Sequence, residues 1–533
     1  MGDEVRWEPP GPGPWFFVEE HMPRAACTLL VELLPRSGPG WRMGTDRYGL
    51  PPNNATFGAS NRWCYYSPGP PVALTYDEVA ELDRQAVATL AERRWRDELA
   101  RWRDDVRPAM VARHRALLAA DLPSLDDAAL ATELAAATAL WDEASPLHFD
   151  GALAGGVAAG ALLELTDGCG LDRRAVVEAL AGEATSTSAA ERRLGLIARE
   201  LRAAGIDDPQ DLDAVRSAGP TASTLLDQLV VDEGWRTLHV DLLEPSLAER
   251  PEALLPAIRA ALAGWSGRSR PSADVVDELL AQVPEADRAD VAERLADARS
   301  TYGHNDDNAL VLFSIPLGLV RRAVLEVGRR LAARGRLHAV DDAFEATTTE
   351  LAALLAGAGP TADELARRAA ELRAAAGLSP PGSILGTPYP EAPAVEYGHG
   401  TRRLVEVLDR FQSVAWAGPA DGGRAAATVG TEVVRGRAVV VDEPTEAMLR
   451  MEPGDVLVAA STTAPFNMLF SVAGAVAVQY GALMSHPTVL ARELGLTAVI
   501  GVPDLLERIA DGDLVEVDPI AGTIRVLEPA PRD

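Results

Sequence analysis

Residues 479–501 constrain the fold of this chain most, because they combine strand-like runs with a clearly bounded helix. They read QYGALMSHPTVLARELGLTAVIG. Proline is favoured in the first turn of a helix and glycine just past its end, so Pro487 and Gly495 predict a helix between them. Apolar residues 475–478 and 497–502 predict short buried strands on either side. The expected order is strand, glycine turn, histidine, helix and strand.

His486 is predicted to lie at about the N-cap of this helix. First-turn amides have no partner within a helix and carry the positive end of its dipole, so those of Thr488 and Val489 are expected to face the histidine's side. Such a helix end suits a phosphoryl group. An exposed neutral imidazole there can act as a nucleophile. The alternative is that His486 does no more than cap the helix.

Residues 454–518 contain several further blocks, GDVLVAASTTAPFNMLF, QYGALMSHPTVLAREL, TAVIGV and DGDLVEVD. In this order they resemble the swivelling phosphohistidine domain of the phosphoenolpyruvate-utilising family, which includes phosphoenolpyruvate synthase, pyruvate phosphate dikinase and rifampicin phosphotransferase. In that family the histidine of a Ser-His pair carries a phosphoryl group between two distant sites, which implies His486. Hydroxyls and amides near it are then expected to help bind the phosphoryl group. These belong to Ser485, Thr462, Thr463, Thr488 and Val489.

Three departures from the family pattern affect this turn. Residues 481–482 read Gly-Ala where Gly-Gly is usual, and residues 487–488 read Pro-Thr where Ala-Ala is usual. An upstream Ser-Pro-Gly turn is replaced by Thr-Val-Gly at 428–430. The Ser-His pair at 485–486 is kept. The departures favour a second interpretation, in which the chain is a catalytically degenerate ligand-binding or regulatory protein on the same scaffold.

The sequence contains no lysine, so all 50 basic residues are arginine. A Walker-type phosphate loop and a Schiff-base mechanism each need a lysine, and both are therefore excluded for this chain. The formal net charge of −29 argues against nucleic acid or an anionic membrane as a partner.

Cysteine usage and the N-terminus indicate the compartment. Cys27, Cys64 and Cys169 are widely spaced and form no CxxC pair, so neither a disulfide framework nor a thiolate zinc site is expected, and no metal ligand is assigned. The N-terminus lacks a basic region followed by an apolar run, which predicts no signal peptide and a cytoplasmic location. The apolar residues 151–165 are interrupted by glycines and predict a buried helix rather than a membrane span.

Composition divides the chain into a helical and an α/β part, so the predicted fold class is multidomain α and α/β. Residues 1–376, dominated by Ala, Leu, Glu and Arg after residue 70, are predicted to form a large, mainly α-helical acceptor domain. Residues 1–70 are irregular, and their aromatics either line an apolar pocket or plug the end of a helical core. Residues 377–400, rich in Pro and Gly, predict a semi-stiff linker. Residues 401–533 predict a compact α/β swivelling carrier domain.

Capping patterns mark helix starts within the helical domain. They occur at residues 75–78, 124–127 and 361–364, where a hydroxyl is followed three residues later by an acid. The two side chains can satisfy amides that the first turn leaves unpaired, so each pattern predicts a helix start.

Residues 302–351 of the helical region are similar to the acceptor domain of rifampicin phosphotransferase and its relatives. There a histidine and nearby acids precede a long helix and face the acceptor pocket, which implies His304 and Asp307. His304 is then a candidate general base for an acceptor hydroxyl, and Arg321 or Arg322 a candidate for neutralising the phosphoryl group. The alternative is a polar loop followed by a solvated basic helix face.

The resemblance implies a phosphotransferase component that obtains its phosphoryl group elsewhere. The N-terminal region is too short and irregular for an ATP-grasp domain, which normally also uses lysine. ATP and Mg²⁺ are therefore expected on a separate ATP-grasp partner, as for the histidine-bearing subunit of phenylphosphate synthase, with no cofactor held tightly by this chain. His486 would carry the group to a hydroxyl or enol of a small molecule in the helical domain. Phosphoenolpyruvate as donor, and an enzyme of non-phosphoryl chemistry, remain alternatives.

Overall fold

The computed structural model groups the chain into two compact units. Unit A comprises Met1–Ala154, His239–Glu244 and Asn308–Val405, and unit B comprises Gly155–Leu238, Pro245–Asp307 and Glu406–Asp533. The structure describes all residues except 1–4, 20, 181–184, 238–239, 265–271, 392–394, 416–424, 442–443, 463–465, 484 and 532–533. This division corrects the linear one predicted at residues 377–400. Its physical reason is that the helices of residues 1–376 bury their apolar faces in two different cores.

Helices account for most of the described chain up to residue 415. The α-helices are α1 (Thr28–Leu33), α2 (Pro39–Tyr48), α3 (Tyr76–Glu92), α4 (Trp95–Arg101), α5 (Arg107–Ala119), α6 (Asp127–Gly168), α7 (Arg173–Glu178), α8 (Thr185–Ala203), α9 (Leu212–Ser217), α10 (Pro220–Glu233), α11 (Leu255–Leu262), α12 (Ser272–Gln282), α13 (Arg288–Ala309), α14 (Ile315–Ala333), α15 (Thr348–Leu355), α16 (Ala362–Ala375), α17 (His399–Ala415), α18 (Pro444–Arg450), α19 (Asn467–Phe470), α20 (His486–Leu494) and α21 (Leu505–Arg508). Short 3₁₀-helices occur at Leu34–Ser37, Leu122–Ser124, Pro251–Leu254 and Val340–Glu345, and π-helical turns at Trp102–Val106 and Leu310–Ser314.

The predicted helix starts are confirmed, with one shift. Thr75 accepts a hydrogen bond from the Glu78 amide while the Glu78 carboxylate accepts one from the Thr75 amide, which makes a complete capping box. Thr361 caps α16 in the same way with its hydroxyl. At the third start Asp126, rather than the preceding serine, accepts the Ala129 amide. The residues before it form a 3₁₀ turn instead.

The strands form two sheets, one in each unit. They are β1 (Pro14–Phe17), β2 (Thr56–Ser60), β3 (Trp63–Ser67), β4 (Ser383–Leu385), β5 (Ala427–Val429), β6 (Val434–Val441), β7 (Val456–Ala459), β8 (Ala475–Val478), β9 (Thr497–Ile500), β10 (Leu514–Asp518) and β11 (Thr523–Glu528). In unit A the order is β2-β3-β1-β4, with every pairing antiparallel. The expectation that residues 1–70 are irregular is corrected, because three of these strands lie there.

The Pro- and Gly-rich residues 377–400 are not a free tether in this structure. Their strand β4 pairs with β1, so that Ile384 lies opposite Trp15. The Tyr65 hydroxyl donates to the carbonyl of Pro381 at 3.1 Å. The hydroxyls of Tyr389 and Ser67 are 2.9 Å apart. These bonds anchor the segment within unit A, which local composition could not reveal.

The sheet of unit B has seven strands in the order β11-β10-β6-β7-β8-β9-β5. Strands β6, β7, β8 and β9 are parallel, and the edges on both sides are antiparallel. All four residues of β7, β8 and β9 are buried. Parallel strands that are covered on both faces read as continuous apolar runs, which is why these short strands were predictable.

One face of this sheet packs on helices of the same unit. Leu457 and Ala459 belong to a core that also contains residues of α8, α10 and α11, whereas their neighbours Val456 and Val458 belong to the core on the other face. Alternate residues of a strand point to opposite faces, so both cores follow from one run of sequence. The structure therefore shows a mainly helical region and a C-terminal α/β region, as predicted.

The apolar residues 151–165 lie within α6, which has 42 residues. By length and composition alone this helix could cross a membrane, but 72% of its most apolar window is buried inside the protein. Its glycines allow close packing, since a Cβ on Gly160 would lie 2.1 Å from the carbonyl oxygen of Val407. The prediction of a buried helix is confirmed.

Candidate functional site

The helix that carries the candidate nucleophile begins one residue earlier than predicted. Ser485 is the N-cap, His486 is the first helical residue and Pro487 the second. Gly495 ends the helix in the left-handed conformation with φ of 64°, as its position predicts. The His486 side chain is half-buried. It therefore lies at the helix entrance and is partly accessible to solvent.

The expectation that the amides of Thr488 and Val489 lack partners is wrong for this conformation. Both donate to the carbonyl of Ser485, at 3.0 and 3.1 Å. The reason is the one-residue shift, because the N-cap carbonyl becomes available to close the first turn. A role for these amides in phosphoryl binding stays a prediction that would require them to exchange partners.

The hydroxyl of Ser485, which is predicted to bind the phosphoryl group, and that of Thr488 both form hydrogen bonds within the turn. Ser485 Oγ donates to the carbonyl of Ala482 at 2.8 Å and accepts from the Ala482 amide at 3.0 Å. Thr488 Oγ1 donates to the same carbonyl at 2.6 Å, and Thr488 is fully buried. These bonds tie the start of α20 to Ala482, which helps to position His486.

Glycine is required at two points of this turn. Gly481 has φ of 146°, and a Cβ there would lie 2.7 Å from Ile500 Cγ2 and 2.8 Å from Ser485 Oγ. A Cβ on Gly501, where φ is 71°, would lie 2.5 Å from the Gly481 carbonyl. Ala482 is 3% exposed, so its methyl group is accommodated. The chain therefore keeps glycine where the turn needs it and departs from the Gly-Gly pattern where it does not.

The carboxyl ends of β7 and β8 bring a second loop to the same sheet edge. The Gln479 and Tyr480 amides, which follow β8, donate to the carbonyls of Ala459 and Ala460, which follow β7. Just beyond lies Thr462, 5% exposed, and its hydroxyl has no hydrogen-bond partner among the described residues.

Ser461 shares this property, with a buried hydroxyl that also lacks a partner within the described part of the chain. Unsatisfied buried hydroxyls are costly and mark candidate ligand sites. Ligands of parallel α/β sheets bind at this edge. Thr463, the other hydroxyl predicted in this loop, lies outside the described residues.

Arg492, two turns along α20, lies against the helical part of unit B. Its Nη1 donates to the carbonyl of Leu483 at 2.9 Å, whereas Nε and Nη2 are buried without a hydrogen-bond partner among the described residues. Burial lowers the pKa of Arg492 to about 10, and Tyr302 acts in the opposite sense. Because Tyr302 belongs to α13, α20 lies close to the segment that contains His304.

A second contact in unit B involves the unusual residues 428–430. Arg174 on α7 donates to Thr428 Oγ1 at 2.8 Å and to the Thr428 carbonyl at 3.2 Å. Thr428, which replaces the serine of the family pattern, therefore accepts hydrogen bonds from Arg174. The contact holds the edge strand β5 against the helices.

The predicted acceptor-side residues His304 and Asp307 lie within α13, three positions apart. Both are buried, at 5% and 4% exposure. The alternative interpretation, a polar loop before the helix, is wrong, because His304 and Asp307 lie within α13 and α13 is followed directly by the π-helical turn Leu310–Ser314. The assignment of His304 as general base stays a prediction.

Arg321 and Arg322 belong to unit A, and both donate hydrogen bonds to main-chain carbonyls. Arg321 is 3% exposed, donates to the carbonyl of Leu242 and lies 5.3 Å from the centre of the Phe344 ring. Arg322 donates to the carbonyls of Leu117 and Ala120, which end α5. The bonds of Arg322 stabilise the end of α5, whereas that of Arg321 holds a non-helical segment, so the structure gives both arginines a packing role. Phosphoryl neutralisation by either stays a prediction.

One histidine that sequence reasoning left unassigned has a defined environment. His148 Nδ1 is 3.0 Å from Asn308 Oδ1, and the Asn308 amide donates back to the His148 carbonyl at 3.3 Å. Burial lowers the pKa of His148 to about 4. The two residues are 160 positions apart, so no local pattern could have paired them.

Among the described residues no three His, Cys, Asp or Glu side chains are grouped so that they could hold a metal ion.

Comparison with known families identifies the C-terminal region. Residues 451–522 match the family described as PEP-utilising enzyme, mobile domain. The match covers both polar loops of the sheet edge, the turn from Gly481, and α20 with its histidine. This agrees with the predicted carrier domain.

Several curated proteins are similar over longer stretches. An uncharacterized protein of Mycobacterium tuberculosis is 35% identical over 217 residues, which cover 40% of this chain and 22% of that protein. Rifampicin phosphotransferase of Streptomyces sviceus is 27% identical over 343 residues, which cover 61% of this chain and 37% of that enzyme. An uncharacterized phosphotransferase of Bacillus subtilis is 43% identical over 75 residues, 14% of this chain and 9% of that protein. The matched stretches thus span well under half of each relative.

Proposed function

Since the chain carries the mobile domain of the PEP-utilising enzymes and is a member of that family, we propose that it is a phosphotransferase component that carries a phosphoryl group on His486. The supporting observation is a half-buried histidine at the start of α20, at the same edge of a parallel sheet as the buried hydroxyls of Ser461 and Thr462, which have no hydrogen-bond partner among the described residues. Phosphoryl transfer depends strongly on positioning, which the turn before α20 can supply to His486.

The proposed reaction has two steps. In the first, an imidazole nitrogen of His486 attacks the terminal phosphorus of the donor, a P–N bond forms and the P–O bond to the leaving nucleotide breaks. In the second, an acceptor oxygen attacks the same phosphorus, the P–N bond breaks and a P–O bond to the acceptor forms. The acceptor's hydroxyl proton passes to a base, for which His304 is our candidate. The acceptor is a small molecule with a hydroxyl or enol, bound by the helical residues.

We assign the donor site to a separate ATP-grasp protein. A chain without lysine lacks the side chain that such a site normally uses, and the described residues offer no metal cluster for the nucleotide's Mg²⁺. In this proposal the carrier acts in the cytoplasm, where ATP is available. The alternative donor is phosphoenolpyruvate.

A second candidate function is a ligand-binding or regulatory protein that keeps the scaffold without transfer. The observation that favours it is the closed first turn of α20, where the Thr488 and Val489 amides already bond Ser485. A turn that cannot open would leave the phosphoryl group without these donors.

The experiment is incorporation of ³²P into the full chain from labelled ATP with Mg²⁺, with and without a co-expressed ATP-grasp protein, and from labelled phosphoenolpyruvate. We expect label that is lost in acid, as a P–N bond requires, and only when the partner is present. His486→Ala should abolish it, while His399→Ala, at the start of α17, should not. Absence of label from both donors would favour the second candidate.

A further inference from the structure

Arg492 of α20 ends in a buried guanidinium group to which the proposed reaction gives no role. The side chain runs back along the helix, because Nη1 donates to the carbonyl of Leu483 at 2.9 Å, and Leu483 precedes the first helical residue, His486. The guanidinium group therefore lies at the N-terminal end of α20, where the helix dipole is positive. Its Nε and Nη2 atoms are buried and have no hydrogen-bond partner among the described residues.

These two nitrogen atoms, Nε and Nη2, form one edge of the planar guanidinium group. Arginine uses such an edge to donate two parallel hydrogen bonds to two oxygens of one carboxylate or phosphate. Arg173 shows this geometry in the same unit, because its Nε and Nη2 donate to the two carboxylate oxygens of Asp167 at 2.8 and 2.7 Å. The corresponding edge of Arg492 is therefore suited to two oxygens of one anion.

The charges around Arg492 also favour an anion. Burial and, to a smaller extent, the positive charge of Arg174 on α7 lower the pKa of Arg492 to about 10. Glu178 acts in the opposite sense, but its carboxylate accepts a hydrogen bond from Arg174 at 3.2 Å and forms no ion pair with Arg492 in the part of the chain that the structure describes. A buried cation at the positive end of a helix is costly, and a bound anion would offset that cost.

We propose that Arg492 binds the phosphoryl group carried by His486. Its Nε and Nη2 each donate a hydrogen bond to a phosphoryl oxygen, so the guanidinium group neutralises negative charge there and stays protonated throughout. The first-turn amides of Thr488 and Val489 can then keep their bonds to Ser485, because the arginine supplies donors in their place. The inference rests on the proposed function, since it adds to that site a residue that contacts the transferred group.

The first test is calorimetric titration of the full chain with inorganic phosphate at constant ionic strength. Arg492→Met is compared with Arg508→Met, a matched control in the same α/β region whose guanidinium group also donates to a main-chain carbonyl, that of Ile524 at 3.3 Å. We expect saturable phosphate binding by the wild type and by Arg508→Met, and binding weakened about tenfold or more in Arg492→Met. No saturable binding by the wild type, or equal binding by all three proteins, would overturn the proposal.

Two further comparisons separate geometry from charge and phosphate from other anions. Arg492→Lys keeps the positive charge but loses the planar pair of donors, so its phosphate affinity should lie between those of the wild type and Arg492→Met. Acetate, which carries a single charge, should compete with phosphate about tenfold less well on the wild type. Competition by acetate at equal concentration would show a site for carboxylates and contradict the phosphoryl assignment.

Urea unfolding with and without phosphate distinguishes binding from a purely structural role. A ligand stabilises only the state that binds it, so phosphate should raise the unfolding midpoint of the wild type and of Arg508→Met but not that of Arg492→Met. If Arg492→Met does not fold, Arg492→Lys takes its place, with a smaller rise than the wild type expected. An equal rise in the wild type and the Arg492 variant would show that Arg492 does not bind the anion.

His486→Ala separates this inference from the carrier proposal. It keeps Arg492, so it should bind inorganic phosphate like the wild type while incorporating no ³²P. In Arg492→Met the rate of ³²P incorporation with the ATP-grasp partner should fall about tenfold or more, although His486 is present. Labelling of Arg492→Met at the wild-type rate would contradict only the role of Arg492. Phosphate binding that depends on Arg492, without label on the wild type from either donor, would contradict the carrier proposal and leave an anion site.

Discussion

The turn before α20 and the middle of α13 each contain a histidine of the proposed reaction, but they hold it differently. His486 is half-buried at a helix entrance that backbone turns and hydroxyls fix locally. His304 is 5% exposed inside a long helical run. The first position is set by residues within a few places in sequence, and the second by what packs around the helix. The comparison predicts that the turn tolerates few local changes, whereas the helical region responds to burial and charge.

The largest effect is expected for Gly481→Ala. The left-handed backbone and the contacts of a new Cβ with Ile500 and Ser485 should together lower the free energy of unfolding by about 2–5 kcal/mol and reduce labelling of His486. Urea unfolding of the full chain measures the change in free energy.

The matched control for that change is Gly195→Ala on α8, where a Cβ would meet no atom within 4 Å. It should raise the free energy of unfolding by about 0.5–1 kcal/mol, because alanine favours helices. If both variants unfold at the wild-type urea concentration, the turn is not held by its glycine.

The helical region should instead be sensitive to acid. Burial lowers the pKa of His114 and of His148 to about 4, from an ordinary 6.5. Between pH 6.5 and 4 the unfolded chain binds protons that the folded chain does not, so stability falls as pH falls through this window. Across this window each histidine lowers the free energy of unfolding by up to about 3 kcal/mol.

Urea unfolding at pH 7 and pH 5 tests whether the protein is less stable at the lower pH. His114→Gln should reduce the difference between the two pH values, whereas Met110→Leu, which changes no titrating group on the same helix, should leave it intact. A His114→Gln variant with the full wild-type difference would refute the role of that histidine.

A smaller effect distinguishes two threonines of the candidate site. Thr488→Val removes the hydroxyl that bonds the Ala482 carbonyl, and the free energy of unfolding should fall by about 1–2 kcal/mol. Thr462→Val removes a buried hydroxyl without a described partner, so stability should hold or rise while the labelling rate of His486 falls. The reverse pattern, with Thr462 essential for stability, would show that its hydroxyl is structural.

The smallest change is expected at Arg322. Arg322→Met removes the two hydrogen bonds to the carbonyls that end α5, which should lower the free energy of unfolding by about 1 kcal/mol. The labelling rate of His486 and the rate of transfer to an acceptor should be unchanged. A transfer rate that falls without a change in stability would instead support the predicted contact between Arg322 and the phosphoryl group.

Local signals explain what could be predicted from sequence. Pro487 and Gly495 predicted α20 to within one residue, and the apolar runs predicted β8 and β9, because both depend on neighbouring residues alone. The helix caps at Thr75 and Thr361 were predictable for the same reason. The family blocks then identified His486.

Long-range pairing explains what could not be predicted. Strand β4 is bonded to β1 more than 360 positions away, so its Pro- and Gly-rich residues read as a linker. His148 and Asn308 meet only through the packing of α6 and α13. Arg321 and Arg322 donate hydrogen bonds to carbonyl groups of residues distant in sequence. The helical periodicity around the two arginines does not reveal these partners.

Phosphopeptide mapping after incubation with ATP, Mg²⁺ and the ATP-grasp partner tests the central claim most directly. Under conditions that preserve P–N bonds, mass spectrometry should find one phosphoryl group on His486 and none on the seven other histidines. The group should disappear when acceptor is added. A phosphoryl group on a different residue, or an unmodified His486 alongside phosphorylated acceptor, would contradict the account.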